Sequence, residues 1–299
     1  MEGHLRFENQ GQRLLGLLYT PGERTPRRHA GIIFLHGWAG YRIGPHRMFT
    51  KMARRASAVG FDCLAFDFRG RGDSEGDAGA ASISTMISDA RAAARALRAK
   101  TGVERIALVG LCSGGEVALG AGALIPEVDS MVLWSVPQVA ADRGHADRAK
   151  RLSIFRAYAQ KLFRRETWAK LFLGGLDFVM IGRALREGGK GAGEESAPED
   201  RRIDFRHRFI EFGGEMLFIY GSNDPTAPDC IAHYEALSRK AGRRLNWHVV
   251  QGANHSFYSL AWEKEVLDRS LEWLEDRYSA ASATEPAPAS AAAPGGAPA

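Results

Sequence analysis

The sequence predicts an α/β fold, a mainly parallel sheet with helices on both faces. Two observations carry that expectation. Short, continuous apolar runs such as residues 30–35, which suit strands buried on both faces, recur along the chain. Between them lie stretches with helical apolar spacing, and repeated strand–helix alternation of this kind stacks its strands in parallel.

The elements follow in order. Residues 5–9 and 12–19 read as an antiparallel hairpin around Asn9-Gln10-Gly11, which opens the fold. Residues 30–35 form the first buried strand, and a helix is expected over 46–59. A second buried strand runs from Asp62 to Phe68, followed by an Ala- and Arg-rich helix over 82–100. Ile106 to Leu111 is the next strand and 114–124 the next helix. Met131 to Val136 and Met216 to Tyr220 are further strands, and a helix at 228–241, a strand at 245–250 and a helix at 259–277 complete an eight-stranded sheet.

The interval between Val136 and Met216 breaks this rhythm. It holds no convincing strand, only amphipathic material such as Leu152 to Leu173, and an interval of that length inside an α/β domain reads as an inserted cap. The expected organisation is a first core part over 1–136, a helical cap insertion over 137–213 and a second core part over 214–278. Within the cap, the Gly-rich stretch 188–200 is expected to be mobile, and the Ala/Pro-rich tail over 279–299 is too poor in bulky apolar groups to fold.

Composition narrows the function classes. The chain has 299 residues, 45% of them hydrophobic, so a sizeable core can be buried. The formal charge of +5 comes from 40 basic and 35 acidic residues mixed along the same segments, with only short pairs such as Arg27-Arg28, Arg164-Arg165 and Arg201-Arg202. That pattern reads as solvated surface and not as a nucleic-acid footprint. Cys63, Cys112 and Cys230 make neither a disulfide framework nor a metal-type pair, which points to a reducing compartment and to no metal. No basic-then-apolar leader is visible at Met1-Glu2-Gly3-His4, and no run approaches the roughly 18 apolar residues of a spanning helix. The expectation is a cytoplasmic protein without a membrane span, and its oligomeric state is left open.

Gly110-Leu111-Cys112-Ser113-Gly114-Gly115 follows a buried strand and opens a helix. A nucleophile on such a sharp turn stands exposed, and small residues two positions away on each side make room for it. Gly110 and Gly114 hold those positions around Cys112, and the helix N-terminus favours thiolate over thiol. Centring on Ser113 instead puts Leu111 on the strand side, so Cys112 is the preferred nucleophile and Ser113 the alternative. Cys63, inside a strand, and Cys230, near a helix start, read as structural.

The base and acid follow in the chain. His255, in Gly252-Ala253-Asn254-His255-Ser256-Phe257, comes after the last strand. Asp224, in Gly221-Ser222-Asn223-Asp224-Pro225, comes after the strand before it. Parallel strands end on one edge of the sheet, so an imidazole and a carboxylate placed there can reach the elbow, the carboxylate fixing the ring's tautomer. Asp229, past Pro228, is a weaker candidate for the acid. His233 and His248 read as helix and strand surface.

The strand ending at Leu35 runs into His36-Gly37-Trp38-Ala39-Gly40. The main-chain N–H of Trp38 can join that of Ser113 to bind a developing oxyanion. Gly37 and His46 are candidate substrate contacts, though His46 and Arg47 also fit plain surface. Asp67-Phe68-Arg69-Gly70-Arg71-Gly72-Asp73-Ser74 lacks the Gly-Lys-Ser/Thr ending of a phosphate loop and reads as an internally bonded turn that shapes the site.

With His36-Gly37, the Asp67–Ser74 loop, the Cys112 elbow, Gly221-Ser222-Asn223-Asp224 and Asn254-His255 in place, the chain resembles the α/β-hydrolase superfamily over about residues 5–278. Tyr41-Arg42-Ile43-Gly44-Pro45-His46-Arg47 and Gly110-Leu111-Cys112 resemble the exosortase A system-associated hydrolases of bacteria, and the cysteine elbow is similar to that of dienelactone hydrolases. The resemblance implies the α/β-hydrolase fold and an esterase-like or acyl-transferring enzyme without metal or organic cofactor. Its expected partner is a small-molecule acyl substrate, an ester, lactone or thioester, attacked by Cys112 with His255 as base and Asp224 as acid. Acyltransfer to another acceptor, peptidase activity and a non-catalytic binding scaffold remain alternatives.

Overall fold

The computed structural model describes residues 1–139 and 203–279. The amphipathic stretch 152–173, the loop 188–200, most of the cap and all but the first residue of the tail lie outside the described residues. So do Arg164-Arg165 and Arg201-Arg202.

The chain opens with β1 (Glu2–Asn9) and β2 (Gln12–Tyr19), paired antiparallel from Glu2↔Tyr19 to Asn9↔Gln12. Gln10 and Gly11 turn the hairpin at φ 50 and 77, the left-handed conformation that a two-residue hairpin loop requires. There follow β3 (Ala30–Leu35), α1 (Met48–Ala58), β4 (Asp62–Phe66), α2 (Ile83–Thr101), β5 (Arg105–Leu111), α3 (Ser113–Gly122) and β6 (Val128–Trp134). After the undescribed interval come α4 (Phe205–Glu211), β7 (Glu215–Gly221), α5 (Ala227–Lys240), β8 (Asn246–Val250) and α6 (Leu260–Arg277). The eight strands form one sheet in the order β1-β2-β4-β3-β5-β6-β7-β8. β2 pairs antiparallel with β1 and β4, and every pairing from β4 through β8 is parallel.

The continuous apolar runs are explained by burial on both faces. In β3, Ile33 and Leu35 face one layer with Leu97 of α2, Val117 of α3 and Tyr234 of α5. Ile32 and Phe34 face the other, with Met52 of α1 and Val266 of α6. Each such side chain contributes about 1.5–3 kcal/mol by leaving water. α2 begins at a capping box, in which Ser82 Oγ accepts from Thr85 N and Ser82 N donates to Thr85 Oγ1, and it stops at Gly102 in the left-handed conformation.

The boundaries shift where side chains compete with the ladder. The strand expected to run to Phe68 ends at Phe66; Asp67 N still donates to Leu15 O of β2 at 3.0 Å, while its side chain turns to accept the N–H groups of Arg42 and Asp73. The strand expected over 131–136 runs instead from Val128 to Trp134, and Ser135 stops it at φ 46. The helix expected over 46–59 is divided. Pro45–Arg47 is a short 3-10 turn whose His46 and Arg47, at φ 49 and 65, break the helical path before α1.

Candidate active site

β5 delivers Cys112 to the C-terminal edge of the sheet, between the last residue of the strand and the first turn of α3. Its backbone is held at φ 54, ψ −124, a region that L side chains rarely adopt, and its N–H donates to Trp134 O at 2.9 Å. The turn is tight enough to require glycine. A Cβ at Gly114 would lie 2.0 Å from Leu35 O, and one at Gly110 would lie 2.5 Å from Gly114 O. The apolar strand thus ends in a strained thiol that is partly open to solvent above a helix N-terminus.

β7 and β8 end on the same edge. After β7, Asp224 is 2% exposed, and its Oδ1 accepts from Thr226 N at 3.0 Å and Thr226 Oγ1 at 2.8 Å. After β8, Asn254 Oδ1 accepts the N–H groups of Ser256 and Tyr258, both at 3.2 Å, and shapes the turn that presents His255. The two loops are knitted together: Asn223 N donates to Ala253 O at 2.8 Å and Gly252 N to Ser222 Oγ at 2.7 Å. They approach so closely that a Cβ at Gly221 would meet Ala253 O at 2.3 Å.

His255 Nδ1 lies 2.6 Å from Asp224 Oδ2, and the Cys112 side chain is among the neighbours that raise the ring's pKa. Burial pulls the His255 pKa down, but the hydrogen bonds to Asp224 and Cys112, with the charges on both, outweigh it and push the value up to about 10. For Asp224, burial opposes ionisation, and the hydrogen bonds from His255 and Thr226 overcome it and hold the carboxyl below its usual range. Nδ1–H therefore faces the carboxylate, which leaves the other ring nitrogen for a second partner.

The remaining expected residues fall into place around this trio. No hydrogen bond joins Ser113 Oγ to His255 among the described residues. Instead Ser113 Oγ accepts the Trp38 N–H at 2.6 Å, so one of the two expected oxyanion donors is engaged by a hydroxyl. Gly37 overlies the elbow, its Cβ direction 3.6 Å from Cys112 Cβ. His46 is exposed at the rim, edge-on to Tyr258 with ring centroids 4.7 Å apart. Asp229 is exposed in the first turn of α5, while His248 pairs with Glu265 at 2.7 Å and His233 packs edge-on against Tyr234. Cys63 and Cys230 are buried and free, and burial raises both thiols, Cys230 to about 11.

The Asp67–Ser74 loop is internally bonded, as expected, and it is tied to Arg42, whose role the sequence did not announce. Asp67, fully buried, accepts the main-chain N–H of Arg42 at 2.7 Å and of Asp73 at 3.0 Å, and the Arg42 guanidinium bridges Asp67 and Asp73. Arg42 thus ties the Tyr41–Arg47 segment to the turn after β4. Its signal was a lone arginine near a loop rich in carboxylates. His36 is 1% exposed, its Nδ1–H donating to Gly37 O at 2.8 Å while Nε2 accepts from Phe68 N at 3.3 Å. Burial lowers its pKa to about 4, so a neutral imidazole fixes the turn that carries Gly37 and Trp38. Arg71 stacks over the Trp38 ring at 5.2 Å.

Comparison with known proteins places this geometry. The model of the alpha/beta hydrolase family matches residues 32–269, more than half of the chain. The chain belongs to that family. Among curated relatives, human Protein ABHD12B is 34% identical over 106 residues, covering 34% of this chain and 28% of that protein. The chain thus spans under a third of the length of that relative. Among solved structures, an esterase of Pyrococcus furiosus superposes with a TM-score of 0.64 at 18% identity, covering 92% of each chain. Dienelactone hydrolase from Anabaena variabilis superposes with a TM-score of 0.60 at 15% identity, covering 92% of this chain and 97% of its own. At such identities the structures speak for the fold, an α/β-hydrolase fold with a mostly parallel eight-stranded sheet.

Among the described residues, no group of three or more His, Cys, Asp or Glu is placed to hold a metal ion, and no helix is long and apolar enough to cross a membrane.

Proposed function

We propose that the protein hydrolyses carboxylic esters, lactones or thioesters through an acyl-cysteine intermediate. Cys112 acts as nucleophile, His255 as general base and acid, and Asp224 as the carboxylate that orients the ring. The observation that carries the reading is the Asp224 carboxylate 2.6 Å from His255 Nδ1, together with a Cys112 thiol on a strained elbow that raises the pKa of the same ring.

The His255 ring, charged at neutral pH at its value of about 10, holds the proton that Sγ gives up, the sulfur bonds to the carbonyl carbon, and the C=O π pair moves onto the oxygen. That oxygen is received beside the first turn of α3, at the Ser113 N–H and on the side of Trp38. The adduct collapses, the bond to the leaving oxygen or sulfur breaks, and the imidazolium supplies that atom's proton. Water, deprotonated by His255, then attacks the thioester and restores the thiol. No cofactor enters this cycle.

Ester chemistry agrees with the names of the superposed esterase and dienelactone hydrolase. The kinship with exosortase A system-associated hydrolases rests on Tyr41–Arg47 and Gly110-Leu111-Cys112 alone. A cytoplasmic setting is supported by three free cysteines. Cap residues over 137–213 are proposed to select the acyl group, with Gly37 and His46 as contacts.

The test is a panel of p-nitrophenyl esters assayed with and without iodoacetamide. Thiol-sensitive turnover supports the reading, and turnover that survives Cys112→Ala overturns it. Faster product formation with an added amine than with water alone would redefine the enzyme as an acyltransferase. Activity confined to aminoacyl anilides would make it a peptidase.

A further inference from the structure

We propose that the Ser113 hydroxyl is itself a donor to the oxyanion, aimed by the Trp38 N–H. This rests on the reading of Cys112 as nucleophile and makes Ser113 a catalytic residue through its side chain as well as its main chain.

The geometry begins with the 2.6 Å hydrogen bond from Trp38 N to Ser113 Oγ. In the expected arrangement the Trp38 N–H would point at an empty space beside the elbow. Here that N–H is already satisfied, and what occupies the space is a hydroxyl fixed at the first residue of α3. A hydroxyl has two acceptor lone pairs and one proton. One lone pair takes the Trp38 N–H, and the Oγ–H has no acceptor among the described residues. Ser113 also carries one of the N–H groups that a helix N-terminus leaves without an intrahelical partner. On this proposal its main-chain N–H and its Oγ–H flank one position, next to the sulfur that bonds to the carbonyl carbon.

Three physical points favour donation through the hydroxyl over its displacement. The Trp38 N–H polarises the O–H and strengthens it as a donor, as in any hydrogen-bonded chain. The hydroxyl is held before substrate arrives, so no reorganisation accompanies charge development. Displacement would instead break a short bond and leave the hydroxyl to find a new partner under the loop that carries Gly37, whose Cβ direction lies 3.7 Å from Ser113 Oγ. The carbonyl oxygen, negative only in the tetrahedral adduct, then accepts from Ser113 N–H and Ser113 Oγ–H, with Trp38 acting one bond behind.

Two reactions of the same sulfur separate this role from a structural one. Acylation by p-nitrophenyl acetate develops an oxyanion, and alkylation by iodoacetamide displaces iodide without one. Ser113→Ala is expected to slow acylation about 100- to 1000-fold, the order found on removal of one oxyanion donor, while Cys112 is alkylated at the wild-type rate. Ser113→Thr, which keeps the hydroxyl, should recover most of the acylation rate. Acylation by Ser113→Ala at or above the wild-type rate would overturn the proposal, since Trp38 would then donate directly. Equal loss in both reactions would also overturn it, because the elbow itself would have moved. Should wild-type Cys112 be neither acylated nor alkylated, the underlying reading of Cys112 falls, and this proposal with it.

Discussion

Replacing Asp224 by Asn leaves nearly the same shape and removes one charge, so its consequence follows from the contacts. The amide oxygen can keep both bonds from Thr226, at 3.0 and 2.8 Å. The NH2 then faces His255 Nδ1 across the 2.6 Å contact, and two donors cannot share it. The ring must carry its proton on the other nitrogen, where it can no longer accept the Cys112 proton. A hydrogen bond to a charged group contributes about 1.5–3 kcal/mol, and the attraction between carboxylate and imidazolium about 4 kcal/mol at an effective dielectric near 20. These overlap, and the imidazole side chain is 40% exposed, so solvent screening reduces the total to about 3–4 kcal/mol. At about 1.4 kcal/mol per tenfold, kcat/KM should fall roughly 100- to 1000-fold. Steady-state hydrolysis of p-nitrophenyl acetate measures the loss, and an NMR titration of His255 should show its pKa falling from about 10. Asp229→Asn, at an exposed position of α5, should stay within about twofold. An Asp224→Asn enzyme that does the same would refute the assignment of the carboxylate.

Other outcomes follow from the same contacts. Cys112→Ala removes two of the influences that raise His255, so the ring should titrate below the wild-type value of about 10 by NMR. Because that folded value lies above the ordinary 6.5, the stabilisation from the charged ring is fully present below about pH 6.5. It is lost as pH rises through 10, so the melting-temperature gap between wild type and Asp224→Asn should narrow over that span. Gly114→Ala drives a Cβ to within 2.0 Å of Leu35 O and should cost about 3 kcal/mol in urea unfolding, with the elbow displaced. Trp134→Ala empties a fully buried site and removes the indole N–H that Ser270 Oγ accepts at 2.9 Å, leaving that hydroxyl only its bond to Val266 O; a loss of about 3–5 kcal/mol is expected by the same measurement.

The parallel core was legible because burial on two faces writes itself as unbroken apolar runs, and Ala30–Leu35 and Ile106–Leu111 show it most clearly. The elbow was legible for a steric reason, since only glycine fits at Gly110 and Gly114. Strand ends at Phe66 and Trp134 were not, because they are set by side-chain competition and backbone reversal at Asp67 and Ser135. The Arg42 bridge joins residues 25 and 31 positions apart, and no local pattern announces such a pairing. The Ser113 hydroxyl was weighed only as a rival nucleophile, since which neighbour a side chain meets 75 residues away is invisible in a motif.

Intact-protein mass spectrometry after exposure to an acyl probe, followed by peptide mapping, tests the central claim most directly. The account predicts one adduct on the peptide containing Cys112, reversed by thiols and absent in Cys112→Ala. An adduct on Ser113, on Cys63 or on Cys230, or none at all, would contradict it.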